Sequence, residues 1–373
     1  MLLNKNIFAF LELVRAGLWE KEVRLSTYIP VDFVALRQLA DVQSVSGLIN
    51  TGLTFVSDIT VPKKELLQFV GRSIQLEQRN TEMNRFIEKL LNKFNEKGIK
   101  AYLVKGQGVA QCYERPLRRV SGDIDLYLDL ENYEKAKLIL IPLASSVEQE
   151  GLANRHLGLF FDSFVVELHG TLHCGLSKKI DKQLDNIMHS VFAGNVRTWL
   201  NGQTLVSLPR ADEDVVYVFT HILQHFFKGG IGIRQICDWC RLLWVYSTSL
   251  DLHLLETRLR ILGLMTEWKA FGTFAVEYLG MPCDAMPLVD NKIIKQYQRR
   301  AKLIMEFMMK VGNFGQNRDL SYYEKYPYVI RKVISLGQRC KDLFHHVSIF
   351  PFDSLCFTPY IVFDGLRNAT RGE

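Results

Sequence analysis

The 373-residue sequence has no apolar run reaching the ~18–20 residues that cross a bilayer, so nothing in it reads as a membrane span. It also lacks a cysteine framework. Seven cysteines stand at scattered positions, which is not the pattern of a secreted disulfide scaffold and makes a reducing cytoplasm the default. Internal repeats and low-complexity linkers are absent. Charge of one sign is not in large excess: the net +6 suits an anionic substrate but is too small and dispersed to argue for nucleic acid. A hydrophobic content of 48% with 23% charged residues excludes a disordered chain and leaves enough apolar mass for a core spread over two or three domains. The opening stretch, MLLNKNIFAFLELVRAGLWEKEVR, is interrupted by Glu12 and Arg15 and has no small-residue cleavage site. It reads as an amphipathic helix, not a signal peptide.

Hydrophobic spacing divides the chain in three. Residues 1–98 carry apolar positions three and four apart, and one long helix is expected from Pro62 to Gly98. Residues 99–175 change period. IKAYLVK reads as a short strand, GQGVAQCY as a turn into a short helix, and DIDLYLDL as a strictly alternating strand. ENYEKAKLILIPLASS reads as a helix, and HLGLFFDSFVVELHG as a hairpin pair. From 176 to 373 the helical period returns. The expected fold is α+β: a small mixed β-sheet core flanked by an N-terminal helical segment and a C-terminal helical lobe.

The informative residues lie in the middle part. On a strand covering 123–130, Asp123, Asp125, Tyr127 and Asp129 share one face, opposite an apolar face of isoleucine and leucines. Two carboxylates a pleat apart raise each other's proton affinity unless a positive charge sits between them. Hard oxygen donors without a thiolate favour Mg²⁺ or Mn²⁺ there. Glu167, in the alternating run SFVVELHG, faces the pair if its strand runs beside 123–130. Lys105 and Gly106 end the preceding strand at a turn where backbone N–H groups can meet an anion, and Arg119 stands four residues before Asp123, placed for a forked phosphate contact.

The block LVKGQGVAQCYERPLRRVSGDIDLYLD resembles the signature of the nucleotidyltransferase superfamily. More closely, it resembles an uncharacterised bacterial nucleotidyltransferase family with a Lys-Gly turn, a downstream Tyr, an Arg-x-x-Gly-Asp-x-Asp strand and a later Glu-Leu-His. The matching positions are Lys105, Gly106, Tyr113, Arg119, Gly122, Asp123, Asp125, Glu167 and His169. Gln107 stands where the superfamily turn usually has Gly or Ser. The resemblance implies transfer of a nucleoside monophosphate from a nucleoside triphosphate to an acceptor hydroxyl on a small molecule, sugar, protein or RNA end. Asp123, Asp125 and Glu167 would be the catalytic and metal-binding carboxylates, with Glu167 completing the ligand set or taking the acceptor proton. Lys105, Gly106, Arg119 and Gly122 would hold the nucleotide. The same carboxylates acting on water would make a phosphodiesterase or phosphohydrolase, and the fold without chemistry a binding or regulatory protein.

Tyr113 and His169 are candidate substrate contacts or supports for the ligands, and His156 could reach the site across the hairpin. His221 and His225 stand four apart in HILQH, which lacks the glutamate of a zinc-protease helix. They are expected to line the cleft or the helical core. Cys237-x-x-Cys240 has no second cysteine pair and lies within a helical period, so a buried helix face is the better reading.

Overall fold

The computed structural model describes residues 5–151, 155–318 and 325–371. Four helices precede the sheet: α1 (Lys5–Trp19), α2 (Phe33–Val42), α3 (Ser46–Leu53) and α4 (Lys63–Glu96). The long helix α4 starts directly after Pro62 and stops at Gly98, whose φ of +65° ends the helical path. The middle part follows as β1 (Tyr102–Val104), α5 (Gly106–Ala110), β2 (Asp123–Tyr127), α6 (Leu130–Leu140), β3 (Ser146–Val147), β4 (His156–Phe161) and β5 (Phe164–His169). Its sheet has the order β1-β2-β5-β4-β3. The β2–β5 pair is parallel and the other pairs are antiparallel, which makes the sheet mixed and the fold α+β.

Alternation separates the two faces of this sheet. Leu103, Ile124, Leu126, Leu157, Leu159, Val166 and Leu168 form the apolar face and pack against Met83, Ile87, Leu91 and Phe94 of α4. The opposite face carries the acids and histidines. Strand β2 is shorter than its alternation predicts. Asp129 leaves the strand to cap α6, where its carboxylate accepts from the Asn132 N–H at 2.8 Å. The polar face of β2 is therefore Asp123, Asp125 and Tyr127.

The helical period expected throughout 176–373 is interrupted. After α7 (Lys178–Met188), a hairpin of β6 (Val196–Asn201) and β7 (Thr204–Pro209) forms around Gly202 at φ +62°. Its signal was an Asn-Gly pair between two alternating runs. The remainder is helical: α8 (Ala211–Lys228), α9 (Ile233–Val245), α10 (Leu252–Leu262), α11 (Met265–Leu279), α12 (Asn291–Val311) and two further helices, Tyr328–Ile349 and Pro351–Arg371. Among the described residues, no helix is long and apolar enough to cross a membrane.

Glycines set how closely the N-terminal helices approach the site. A Cβ on Gly47 would lie 1.8 Å from the Arg118 carbonyl oxygen, and one on Gly17 would lie 2.0 Å from that of Leu48. The first contact is with the turn before Arg119, and the second is between α1 and α3. Gly71, on the exposed side of α4, has nothing within 4 Å. Gly47→Ala is therefore expected to destabilise the fold by about 1–3 kcal/mol. Gly71→Ala should stabilise it by about 0.5–1 kcal/mol. Chemical denaturation midpoints of the two variants check the pair, and equal midpoints would refute the close-approach argument.

Candidate functional site

The parallel register of β2 with β5 assembles the acidic centre. Asp125 lies opposite Glu167, Tyr127 opposite His169, and Asp123 opposite Val165. Strand β4 then sets His156 across from His169. Among the described residues, two groups have ligating atoms all within 4.8 Å of one another: Asp123, Asp125 and Glu167, and His156, Glu167 and His169. Glu167 belongs to both. Beside them the chain turns sharply, with Lys105 at φ +55° and Gly106 at φ +42°. A left-handed lysine is a strained conformation of the kind that collects at functional sites. Here it aims the ammonium back at β2, with Nζ 2.8 Å from Asp125 Oδ1.

Charge balance distinguishes the three acids. Asp123 has its proton affinity raised, first by the neighbouring Asp125 charge and then by burial. Burial pushes Asp125 the same way, but Lys105 and the His169 hydrogen bond at 2.9 Å outweigh it and lower its pKa. Glu167 is held well below the usual carboxylate range. Burial is overcome by His156 at 3.1 Å and His169 at 3.3 Å, whose Nε2 atoms face Oε2, with Lys105 adding to the effect. A carboxylate with so little affinity for a proton is a better cation ligand than a base.

The opposite wall comes from α8 and α9. These walls enclose a cleft of about 530 Å³ lined by Lys105, Gly106, Asp123, Asp125, Glu167 and His169 on one side and by Tyr217, His221, His225 and Arg234 on the other. That volume is in the range of about 300–1,000 Å³ typical of small-molecule sites. His221 and His225 face each other with Nε2 atoms 2.9 Å apart, and Phe314 packs edge-on against His225 at 4.7 Å. Burial, then the Lys105 charge, draws the His225 pKa down to about 3, and His221 moves the same way.

A family model described as an uncharacterised nucleotidyltransferase matches residues 30–280. The chain belongs to this nucleotidyltransferase family. Searches of curated proteins and of solved structures return no match. The matched span of this nucleotidyltransferase runs from the entry to α2 through α11 and, among the described residues, holds every strand and all the cleft-lining residues named above except Phe314.

Of the residues nominated from sequence, Lys105, Gly106, Arg119, Asp123, Asp125, Glu167, His169, His221 and His225 line one cleft. Gly122 is exposed and does not line it. The Arg119 guanidinium, expected to fork onto phosphate, is engaged here by protein groups. Its Nε and Nη2 donate to Asp238 at 2.8 and 2.7 Å, and its Nη1 donates to Ser121 Oγ at 2.9 Å. Tyr113 donates to the same Asp238 at 2.7 Å, which makes it a buried support for that ion pair. Gln107 points into the interior and donates to Asn80 and Ser121, so it ties α4 to the loop before β2. Cys237 and Cys240 are fully buried in α9. Sequence reasoning missed Arg234, Asp238 and Tyr217. For the first two the readable signal is a stripe of Arg234, Asp238 and Arg241 at helical spacing in a mostly apolar helix.

The donor set fits a hard divalent cation: three carboxylates within one ligand shell, with a lysine drawn onto them. Asp123, Asp125 and Glu167 would hold it. In metal-free buffer, Asp123→Asn relieves repulsion and should raise the melting temperature. Asp125→Asn strands the Lys105 ammonium, which is only 16% exposed, and should cost on the order of 3–5 kcal/mol. Opposite shifts in thermal melts support this balance, and shifts of one sign refute it. The neutral histidines of α8 predict a second trend. Their folded pKa lies below the unfolded value, so their stabilisation is present above about pH 6.5 and is lost as the pH falls. Between about pH 6.5 and 5, before most carboxylates titrate, stability should decline, and His225→Gln should flatten that decline in denaturant titrations.

Proposed function

We propose that the protein is a metal-dependent nucleotidyltransferase that moves a nucleoside monophosphate from a nucleoside triphosphate to an acceptor hydroxyl. The observation carrying this reading is the convergence of Asp123, Asp125 and Glu167 within one ligand shell beside the Lys105–Gly106 turn. In such a transfer the acceptor hydroxyl gives up its proton to solvent as its oxygen attacks the α-phosphorus, the bond from that phosphorus to the oxygen bridging to the β-phosphate breaks, and pyrophosphate leaves. A divalent cation, Mg²⁺ or Mn²⁺, would supply charge neutralisation at the phosphates and at the acceptor oxygen.

The chain's own residues divide the remaining work. Asp123 and Asp125 present oxygens from one strand face, so their spacing is set by the pleat and not by flexible loops. Glu167 completes the set, and its histidine donors fix its orientation and keep it ionised. Lys105, whose Nζ meets Asp125 at the edge of the cleft, would donate to phosphate oxygens of a bound nucleotide. The acceptor is assigned to the space between the sheet and α8, where His221 and His225 offer an uncharged wall that does not compete for the phosphates.

The test uses α-phosphate-labelled nucleotides with Mg²⁺ or Mn²⁺ and a cell extract as the source of acceptors. Label should move to an acceptor with release of pyrophosphate. Asp123→Asn should lower the rate roughly 100-fold or more, the scale of losing several kcal/mol of charge stabilisation. Recovery of all label as free nucleoside monophosphate would replace transfer with hydrolysis. No conversion of nucleotide by the folded, metal-loaded protein with any extract would leave a binding protein.

A further inference from the structure

Three lysine and arginine side chains line the cleft: Lys105, Arg119 and Arg234. Two already have carboxylates, Lys105 on Asp125 and Arg119 on Asp238. Arg234, at the start of α9, makes no ion pair among the described residues. Its Nη1 donates to the Val120 carbonyl at 2.8 Å, and its Nε is buried without a partner. The Val120 carbonyl does not require it, because Arg119 Nη1 also donates there at 3.3 Å.

Arg234 is only half-buried as a residue, but its Nε is shut away from solvent, and a shielded guanidinium N–H left idle is costly unless an anion joins it. Burial, and then the adjacent Arg119 charge, loosens the hold of Arg234 on its proton. Nothing in the scaffold offsets this fully. Across the cleft Asp125 is already paired with Lys105, and the charges of Asp238 and Asp123 offset the burial of Arg234 only in part. The missing partner is thus an anion entering the cleft, and a planar fork of N–H donors suits a tetrahedral oxyanion.

We propose that Arg234 is an anion subsite of the cleft that takes the pyrophosphate portion of a nucleoside triphosphate, the task the sequence pattern assigns to Arg119. This rests on the nucleotidyltransferase reading and adds the residue that recognises the leaving group. Arg119 then acts at one remove, by holding the loop before β2 against Asp238.

The test is calorimetric titration of inorganic pyrophosphate with Mg²⁺ into the full chain, paired with thermal melts of the ligand-free protein. The unsubstituted protein should bind, and Arg234→Met should bind about 10- to 100-fold more weakly, the loss expected for a charge-assisted contact. Arg234→Lys should recover part of the affinity. The melting temperature of Arg234→Met should stay level or rise, because a partly buried charge with an idle N–H is removed and Val120 keeps a donor. Unchanged pyrophosphate affinity in Arg234→Met overturns the proposal. So does a weakened affinity with a lowered melting temperature, which would make Arg234 part of the scaffold. Arg234-dependent pyrophosphate binding without nucleotide transfer would defeat the transferase reading alone. Transfer with an unaltered KM for nucleotide in Arg234→Met would defeat this inference alone.

Discussion

Arg119 and Asp238 form an ion pair almost out of reach of water, with side chains 5% and 7% exposed. The placement of the site depends on it. The segment between β1 and β2 carries the Lys105–Gly106 turn at one end and leads into Asp123 at the other, and it contains only the short α5 and a single 3₁₀ turn. It is held from two sides. On one, Asn80 of α4 donates to the Leu117 and Arg119 carbonyls, each at 2.7 Å. On the other, α9 presents Asp238 to Arg119 and Tyr113, and Arg241 to the Cys112 carbonyl at 2.7 Å. Removing one partner of such a pair leaves a buried charge, typically a loss of about 3–5 kcal/mol. The pair also fixes where β2 begins, and so where the carboxylates point.

The second constraint is that a buried acidic centre must stay charge-balanced before its substrate arrives. Lys105 and His169 supply the positive partners of Asp125 and Glu167. Burial opposes the charged form of Lys105, yet Asp125 holds its proton more tightly than usual. His169 behaves likewise: its burial is outweighed by hydrogen bonds to Asp125 and Glu167. Asp125 and Glu167 are thus matched by Lys105 and His169, while Asp123 and Arg234 make no ion pair among the described residues.

How much of this could be read from the chain depends on distance along it. The long helix ending at Gly98, the alternation of Asp123 and Asp125, and the facing of Glu167 all follow from local periodicity, since a pleat or a helical turn is decided by neighbours. The parallel β2–β5 pairing then makes those faces coincide. The hairpin around Gly202 was legible in its turn residues but was absorbed into a helical reading, because its strands are flanked closely by α7 and α8. Asp129 was read as a strand residue because capping and alternation compete for the same position, and capping prevailed where α6 needed an acceptor. Arg119 illustrates the harder limit. An arginine four residues before an acidic strand predicts proximity to phosphate, but its actual partner lies 119 residues later, and no local pattern joins the two.

That separation fixes an order in time. A ribosome adding about 5–20 residues per second needs roughly 6–24 seconds to pass from Arg119 to Asp238. During that interval β1, β2 and β5 can emerge and pair while the loop between β1 and β2 still lacks its clasp on α9. The acidic strand face therefore exists before the wall opposite it, and a nascent chain displays its carboxylates without an enclosed cleft. Any chain halted before α9 contains Asp123, Asp125 and Glu167 but neither Asp238 nor Arg234. Enclosure of the cleft is in this way tied to completion of the helical part, because its second wall forms only when one of the later helices folds over the strand face.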